Sequence, residues 1–273
     1  MVIADECHHV SAVNFEQILK TVNARYAYGL TATPIRKDGH QPIIFMQCGP
    51  IRYSADAKAQ MLSQSFERLL VPRFTPFRPI VGSDLSYTKV AQQLAEDEYR
   101  NLFIVKDVIE VLKEGRSPII LTSRTSHVSI LAELLKPHCP NVITLIGSES
   151  TKDKRQKMEH LQSIPSSEQL VIVATGKYVG EGFDYARLDM LFLVSPVAWK
   201  GIVAQYAGRL HREYEGKQDV QIYDYIDIRV PVCESMYRKR LKGYASIGYR
   251  IRNNEAFDSL FPHTDVIYDG QKF

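Results

Sequence analysis

An α/β fold with a mostly parallel sheet is predicted by two observations. Short apolar runs alternate with amphipathic stretches along the chain, the pattern of strands joined by crossover helices. Polar residues gather just past the C-terminal ends of those runs, the edge at which open α/β sheets bind ligands. The runs read as strands are 26–30 (YAYGL), 118–123 (PIILTS), 142–146 (VITLI), 170–175 (LVIVAT), 190–195 (MLFLVS) and 220–226 (VQIYDYI). Their near-continuous apolar character fits strands covered on both faces. Residues 88–113 predict helix, with Leu102, Val105, Ile109 and Leu112 on one face. A second helix is expected from about 151 to 162, opened by the capping pattern Ser150-x-x-Asp153. Thr122, Ser123 and Arg124 follow one strand, Gly147 and Ser148 another, Thr175 and Gly176 a third, and Ser195 a fourth.

Size and composition set the outer limits. The chain has 273 residues, 45% hydrophobic and 24% charged, ample apolar content for a core in one large domain or up to two smaller ones. Thirty-four basic against 31 acidic residues give a net charge of +3, so any nucleic-acid surface must be local. No apolar run approaches the roughly 18 residues that span a bilayer. Acids at Asp5 and Glu6 break any signal-peptide pattern. Cys7, Cys48, Cys139 and Cys233 are scattered without a CxxC pair, which suits free thiols in a reducing cytoplasm. Three prolines and a glycine in PRFTPFRPIVGSD, 72–84, predict a link between two units. The expected organisation is a short first unit over 1–55, a link over 56–84, a main domain over 85–230 and a basic helical extension over 231–273.

Four stretches carry chemistry. VIADECHH, 2–9, places Asp5 and Glu6 at a strand end, where one carboxylate can hold Mg²⁺ and the other can accept a proton from an attacking water. An acid pair on a solvated turn fits the same residues. GLTATP, 29–34, ends a strand in two hydroxyl residues, Thr31 and Thr33, around an alanine, suited to a tight turn that bonds a neighbouring loop or to an ordinary strand exit. VATGKYVGEGFDYARLD, 173–189, combines Thr175-Gly176, which allows close approach to a phosphate backbone, with Gly180, Gly182 and Asp184. The Asp184 carboxylate is a good acceptor for ribose hydroxyls; a glycine-rich surface loop is the plainer alternative. In QYAGRLHR, 205–212, Gln205, Arg209 and Arg212 recur at i, i+4 and i+7. Beside Gly208 they suit a phosphate clamp or a solvated basic face. Trp199, Ile202, Val203, Tyr206 and Leu210 can face the core of that helix.

Taken in order, DECH, TATP, TG…GEGFD and QxxGRxxR resemble the superfamily-two helicases. The resemblance is closest to the DEAD/DEAH-type group related to type III restriction subunits. It covers residues 2–230, with 5–8 similar to motif II, 30–34 to motif III, 119–127 (IILTSRTSH) to motif IV, 175–184 to motif V and 205–212 to motif VI. The resemblance implies RecA-like lobes of the P-loop NTPase type, each a parallel sheet flanked by helices. Here it implies one complete second lobe plus a partial first lobe, with ATP and Mg²⁺ as cofactors and DNA or RNA as partner. Asp5 then binds Mg²⁺ together with Glu6, and Glu6 also positions or deprotonates water. Arg209 and Arg212 contact the γ-phosphate, Gln205 senses the nucleotide, and Gly182 makes room for Asp184 at the ribose. His8, Thr31 and Thr33 couple hydrolysis to grip. Thr122, Arg124, Thr175 and Gly176 contact the nucleic-acid backbone.

One departure from the family pattern matters. No GxxxxGK[ST] occurs: Gly176-Lys177 and Gly216-Lys217 are followed by Tyr178 and Gln218. Without that phosphate cradle and its lysine, the nucleotide site is incomplete. The expectation is therefore the C-terminal part of a helicase or translocase, with a missing first-lobe segment as partner and little ATPase activity by itself. An engineered fragment, a broken gene and one piece of a split protein all fit. The alternative is a non-catalytic nucleic-acid-binding or interaction module that keeps the fold. In the tail, MYRKRLKGYASIGYRIR, 236–252, basic residues interleave Tyr237, Tyr244 and Tyr249. They suit either single-strand stacking or, as favoured here, an amphipathic helix with its tyrosines packed on the lobe. Cys7, His8 and His9 lack further ligands at zinc spacing.

Overall fold

A computed structural model describes residues 1–5, 7, 17, 21–31, 41–54, 66–80, 86–180, 183–197 and 202–252. The chain forms two compact units, Met1–Gln60 and Met61–Phe273.

In the first unit, β1 (Val2–Ala4) pairs in parallel with β2 (Ala27–Gly29), Ala4 opposite Gly29. Helix α1 (Gln41–Cys48) carries Pro42 in its first turn, where no intrahelical N–H is needed. Ala4, Cys7 and Ile44 form a small buried cluster with Cys48 packed against it. Gly29 fits because a Cβ there would lie 2.8 Å from the Cys7 Sγ and 2.9 Å from the Cys48 Sγ.

The second unit is built on a seven-stranded parallel sheet. Its strands are β3 (Glu67–Phe74), β4 (Pro118–Thr122), β5 (Asn141–Leu145), β6 (Leu170–Thr175), β7 (Met190–Leu193), β8 (Asp219–Ile226) and β9 (Arg250–Ile251), in the order β5-β6-β4-β7-β8-β3-β9. The helices are α2 (Tyr87–Glu96), α3 (Glu98–Lys113), α4 (Thr125–Leu135), α5 (Thr151–Ser163), α6 (Gly176–Gly180), α7 (Ile202–Leu210) and α8 (Pro231–Ser246). Side chains alternate across the sheet as the strand period requires. Ile119, Leu121, Ile172, Ala174, Leu191 and Leu193 enter one core, with Leu161 of α5, Tyr206 and Leu210 of α7, and Tyr237 and Leu241 of α8. Ile120, Val171, Val173, Met190 and Phe192 enter the other, under α3 and α4. Each fully buried aliphatic side chain contributes about 1.5–3 kcal/mol. An exposed pair such as Arg155–Glu159 contributes at most about 1 kcal/mol. The two apolar layers therefore hold this unit together.

Three expectations change. First, the predicted link over 56–84 contains β3, paired along its whole length with β8. Pro72 misled the reading. The Leu70 carbonyl accepts from the Arg252 N–H toward β9, so Pro72, two residues on, turns its nitrogen to that same side, and the ladder with β8 loses no bond to the missing N–H. Second, the helical stretch from 88 to 113 is two helices. Asp97 ends α2 and caps α3 by accepting a hydrogen bond from the Arg100 N–H at 2.7 Å. The buried face of α3 runs through Ile104, Val105, Val108, Val111 and Leu112, leaving Leu102 exposed. Third, the boundary drawn at 231 disappears, while the favoured packing of the tail's tyrosines on the lobe is borne out. Helix α8 packs on the sheet, β9 extends it, and Tyr237, Tyr244 and Tyr249 are all buried in the core. Those rings are not available for base stacking. The Ser150 cap of α5 forms as expected, accepting from the Asp153 N–H at 3.2 Å.

Candidate functional site

In the first unit, the backbone sets the two strand ends side by side. The Cys7 N–H donates to the Leu30 carbonyl and the Leu30 N–H to the Ala4 carbonyl, each at 2.9 Å. The exposed Asp5 and the half-buried Thr31 thus leave adjacent strands. Glu6, His8 and Thr33 lie outside the described residues, as does Gly182 in the second unit.

Most of the other expected residues sit at the C-terminal edge of the large sheet. Thr122, Ser123, Thr175, Gly176, Ser195 and Tyr206 line a cavity of about 220 Å³ at the ends of β4, β6 and β7. Gly176 is required by its neighbour, since a Cβ there would collide with the Tyr206 hydroxyl. Burial pushes that hydroxyl up to about 12, so it stays protonated.

The buried Thr122 hydroxyl faces into the lobe. It lies 2.9 Å from His127 Nδ1 and 2.9 Å from the Ser195 Oγ. His127 Nε2 lies 2.9 Å from the Asn101 Oδ1, whose amide nitrogen donates to the Ala95 carbonyl. Nε2 therefore carries the proton and Nδ1 accepts from Thr122. Ser195 then donates to Thr122 and accepts from the N–H and hydroxyl of Ser123. Desolvation, with Arg100 nearby, lowers the His127 value to about 3, so the ring is neutral in this chain of bonds. The Thr175 hydroxyl similarly accepts from the Gly147 N–H at 3.2 Å, and Arg124 donates to the Thr88 carbonyl at 2.9 Å. Thr122 and Thr175 thus shape the cavity wall with hydroxyls already engaged inside the lobe. Arg124 is outside the cavity lining, and among the lining residues the exposed polar side chain is that of Ser123.

The arginine segment forms the other half of the site. Helix α7 ends at Leu210, so Gln205 and Arg209 are helical while Arg212 sits in the following turn. This replaces the single helical face expected for all three. Tyr206 and Leu210 are buried as the pattern required, with Ala207 beside them; Trp199 and the side chains of Ile202 and Val203 lie outside what is described. Arg212 meets Asp184: Nε donates to Oδ1 at 3.2 Å, and Nη2 lies 3.1 Å from Oδ2. Two residues expected to serve the nucleotide are thus partners across 28 positions of sequence. Both are about half exposed, so the pair holds by no more than about 1 kcal/mol and yields readily to a ligand. Among the described residues, the buried Arg209 Nε finds no acceptor, an orphan donor beside that pair in sequence. A Cβ on Gly208 would meet no atom within 4 Å, so the helix is open there to close approach.

Side chains that motif reading passed over hold this segment in place. The connection from β7 to α7 is gripped by its carbonyls: Arg100 donates to Val194 O, Tyr87 to Pro196 O and Arg240 to Val197 O. Arg100 is anchored by Asp227, and Arg240 by a two-pronged bond to Asp224, both pairs fully buried. At the exit of α7, His211 Nε2 lies 3.0 Å from the Tyr249 hydroxyl, with the two rings stacked. The signal in the sequence was the presence of Asp224 and Asp227 in or beside a mostly apolar strand.

Comparison with known proteins bears on the relationship and the fold of the chain. Residues 1–36 match the family model described as "Type III restriction enzyme, res subunit". Protein 161L of Invertebrate iridescent virus 6, which carries a helicase name, is 28% identical over 263 residues, 92% of this chain and 56% of its own. Protein L396 of Acanthamoeba polyphaga mimivirus, named as an ATP-dependent RNA helicase, is 23% identical over 269 residues, 95% of this chain and 49% of its own. The chain is related to the superfamily-two helicases of the type III restriction-like group. It spans about half the length of the curated relatives it matches. Among solved structures, T4 UvsW aligns with a TM-score of 0.53 at 18% identity, over 92% of this chain and 53% of its own. S. cerevisiae Dbp5 bound to RNA and ADP BeF3 aligns at 0.59 and 11% identity, over 95% and 61%. These likenesses establish the RecA-like fold of the helicase relative. No helix among the described residues is long and apolar enough to cross a membrane.

Proposed function

We propose that this helicase relative supplies the C-terminal part of an ATP-dependent helicase or translocase that moves on DNA or RNA in the cytoplasm. The observation that carries the reading is the meeting of Asp184 with Arg212, next to Arg209 with its unsatisfied Nε. A ribose acceptor paired with one phosphate-seeking guanidinium, with a second three residues before it in sequence, matches the acceptor and donors that a nucleoside triphosphate requires. ATP, when bound, supplies the phosphoryl group transferred to water. In the second unit, Asp184 accepts from the ribose hydroxyls, Gly182 leaves room there, and Gln205 reads the bound nucleotide. Arg209 and Arg212 offset the charge that builds on the transferring group.

In the first unit, Asp5 is suited to hold Mg²⁺, and Glu6 beside it in sequence to orient water and take its proton. His8, Thr31 and Thr33 pass the state of the nucleotide to the nucleic-acid grip. That grip uses the edge around Ser123 and Gly176, with Thr122 and Thr175 shaping it and Arg124 beside it. The sequence holds no GxxxxGK[ST], which supports little ATP turnover by this chain alone and a first-lobe segment as its partner.

Mixing the chain with a matching first-lobe segment that carries the phosphate loop tests this reading. Nucleic-acid-stimulated ATP turnover by the mixture, absent from either piece, is expected. Salt-sensitive binding of single strands with no turnover would instead mark a non-catalytic binding module.

A further inference from the structure

Lys217 follows Gly216, whose backbone sits at φ +82° in the turn before β8. Its ammonium points inward and converges on four main-chain carbonyls: Ala186 at 2.8 Å, Leu188 at 2.8 Å, Leu210 at 3.0 Å and Arg212 at 2.7 Å. Two of these belong to the segment just after Asp184. The other two are the last residue of α7 and Arg212 itself. Carbonyls at a helix C-terminus lack intrahelical donors and carry the negative end of the helix dipole. Capping α7 explains the bonds to Leu210 and Arg212. It does not explain the reach to Ala186 and Leu188, on the other side of the Asp184–Arg212 pair.

We infer that Lys217 is a positioning residue that fixes the backbone under Arg212 against the backbone under Asp184, so that the arginine and the ribose acceptor keep one spacing. The inference deepens the nucleotide-site reading and rests on it. The side-chain pair cannot set that spacing alone, because a half-exposed ion pair is weak. Charge-assisted bonds from a shielded ammonium are stronger. Three ammonium hydrogens shared among four carbonyls approach from tetrahedral directions. A planar guanidinium on the same stem cannot copy that arrangement.

The test uses arginine Nε–Hε signals in the folded chain, read by NMR, together with turnover in the recombined motor. In Lys217→Met, the Arg212 Hε is expected to exchange with solvent markedly faster. The Hε signals of Arg100 and Arg240, held in separate buried pairs, should stay in place and show that the lobe remains folded. In the recombined protein, kcat should fall about tenfold or more with KM little changed, as when an interaction made only in the transition state is removed. Unchanged Arg212 exchange in folded Lys217→Met would overturn the inference. Should that variant lose the Arg100 and Arg240 signals, Lys217→Arg, which keeps the charge, decides. Faster Arg212 exchange in it supports the clamp, and unchanged exchange overturns it. Absent turnover by the unsubstituted recombined protein, with the Arg212 response intact, would overturn the motor reading and leave the clamp standing.

Discussion

His127 shows how a single side chain orders a strand edge. Its ring links Asn101 of α3 to Thr122 of β4, and Thr122 passes the bond on to Ser195 and Ser123. This works only with a neutral ring. The folded value is lowered from 6.5 to about 3, first by burial and then by Arg100, while an unfolded ring takes its proton near 6.5. The contribution to stability is therefore complete above about pH 6.5 and is lost as pH falls toward 3. From pH 7 to pH 5 the expected loss is about 2 kcal/mol from this residue. A ring-proton NMR titration should show His127 neutral down to pH 5; a midpoint near 6.5 would refute the assigned bonding. Sequence identified Thr122 and Thr175 as polar strand ends, yet not which way their hydroxyls turn. That direction depends on His127, Asn101 and Gly147, partners supplied by other elements.

At the scale of elements, α8 and β9 complete the lobe that carries the arginine segment. Arg240 of α8 spans two jobs, pairing with Asp224 of β8 and holding the Val197 carbonyl ahead of α7. Its partner draws a third bond from the Tyr244 hydroxyl at 2.9 Å. Removing one member of a buried pair leaves the other charge uncompensated, typically at about 3–5 kcal/mol. Arg240→Ala should lower the stability of the chain by that order in urea denaturation. A change below about 1 kcal/mol, the worth of a surface pair, would show that the pair is not buried as described. Strands buried on both faces were legible because short continuous apolar runs between turn residues are characteristic of that setting. Strand β3 was not: Pro72 and the prolines after it read as link, and what spares the ladder with β8, the turn of the Pro72 nitrogen to the other side, is set by pairing across the sheet. The break between α2 and α3 was likewise hidden, because Asp97 acts through a local cap rather than through the apolar period.

At the scale of the molecule, each of the two units carries its own set of expected site residues. The first places Asp5 beside Thr31 at the ends of paired strands. The second pairs Asp184 with Arg212 across 28 positions of sequence and holds a cavity at the C-terminal edge of its sheet. Motif order in the sequence was enough to foresee the RecA-like class and the helicase relationship, since each motif ends a strand or opens a helix of that fold. What it left open was the mutual pairing of Asp184 with Arg212 and the hold on α7 from Arg100, Arg240 and Lys217. Those contacts join residues far apart in the chain and follow no local period. The most direct measurement is nucleic-acid-stimulated ATP turnover by the recombined motor with Arg212 intact and with Arg212→Ala. A γ-phosphate arginine predicts a loss of about 10³-fold or more in kcat with single-strand binding retained. Turnover within a few-fold of the unsubstituted protein would contradict the assignment of this surface to the nucleotide.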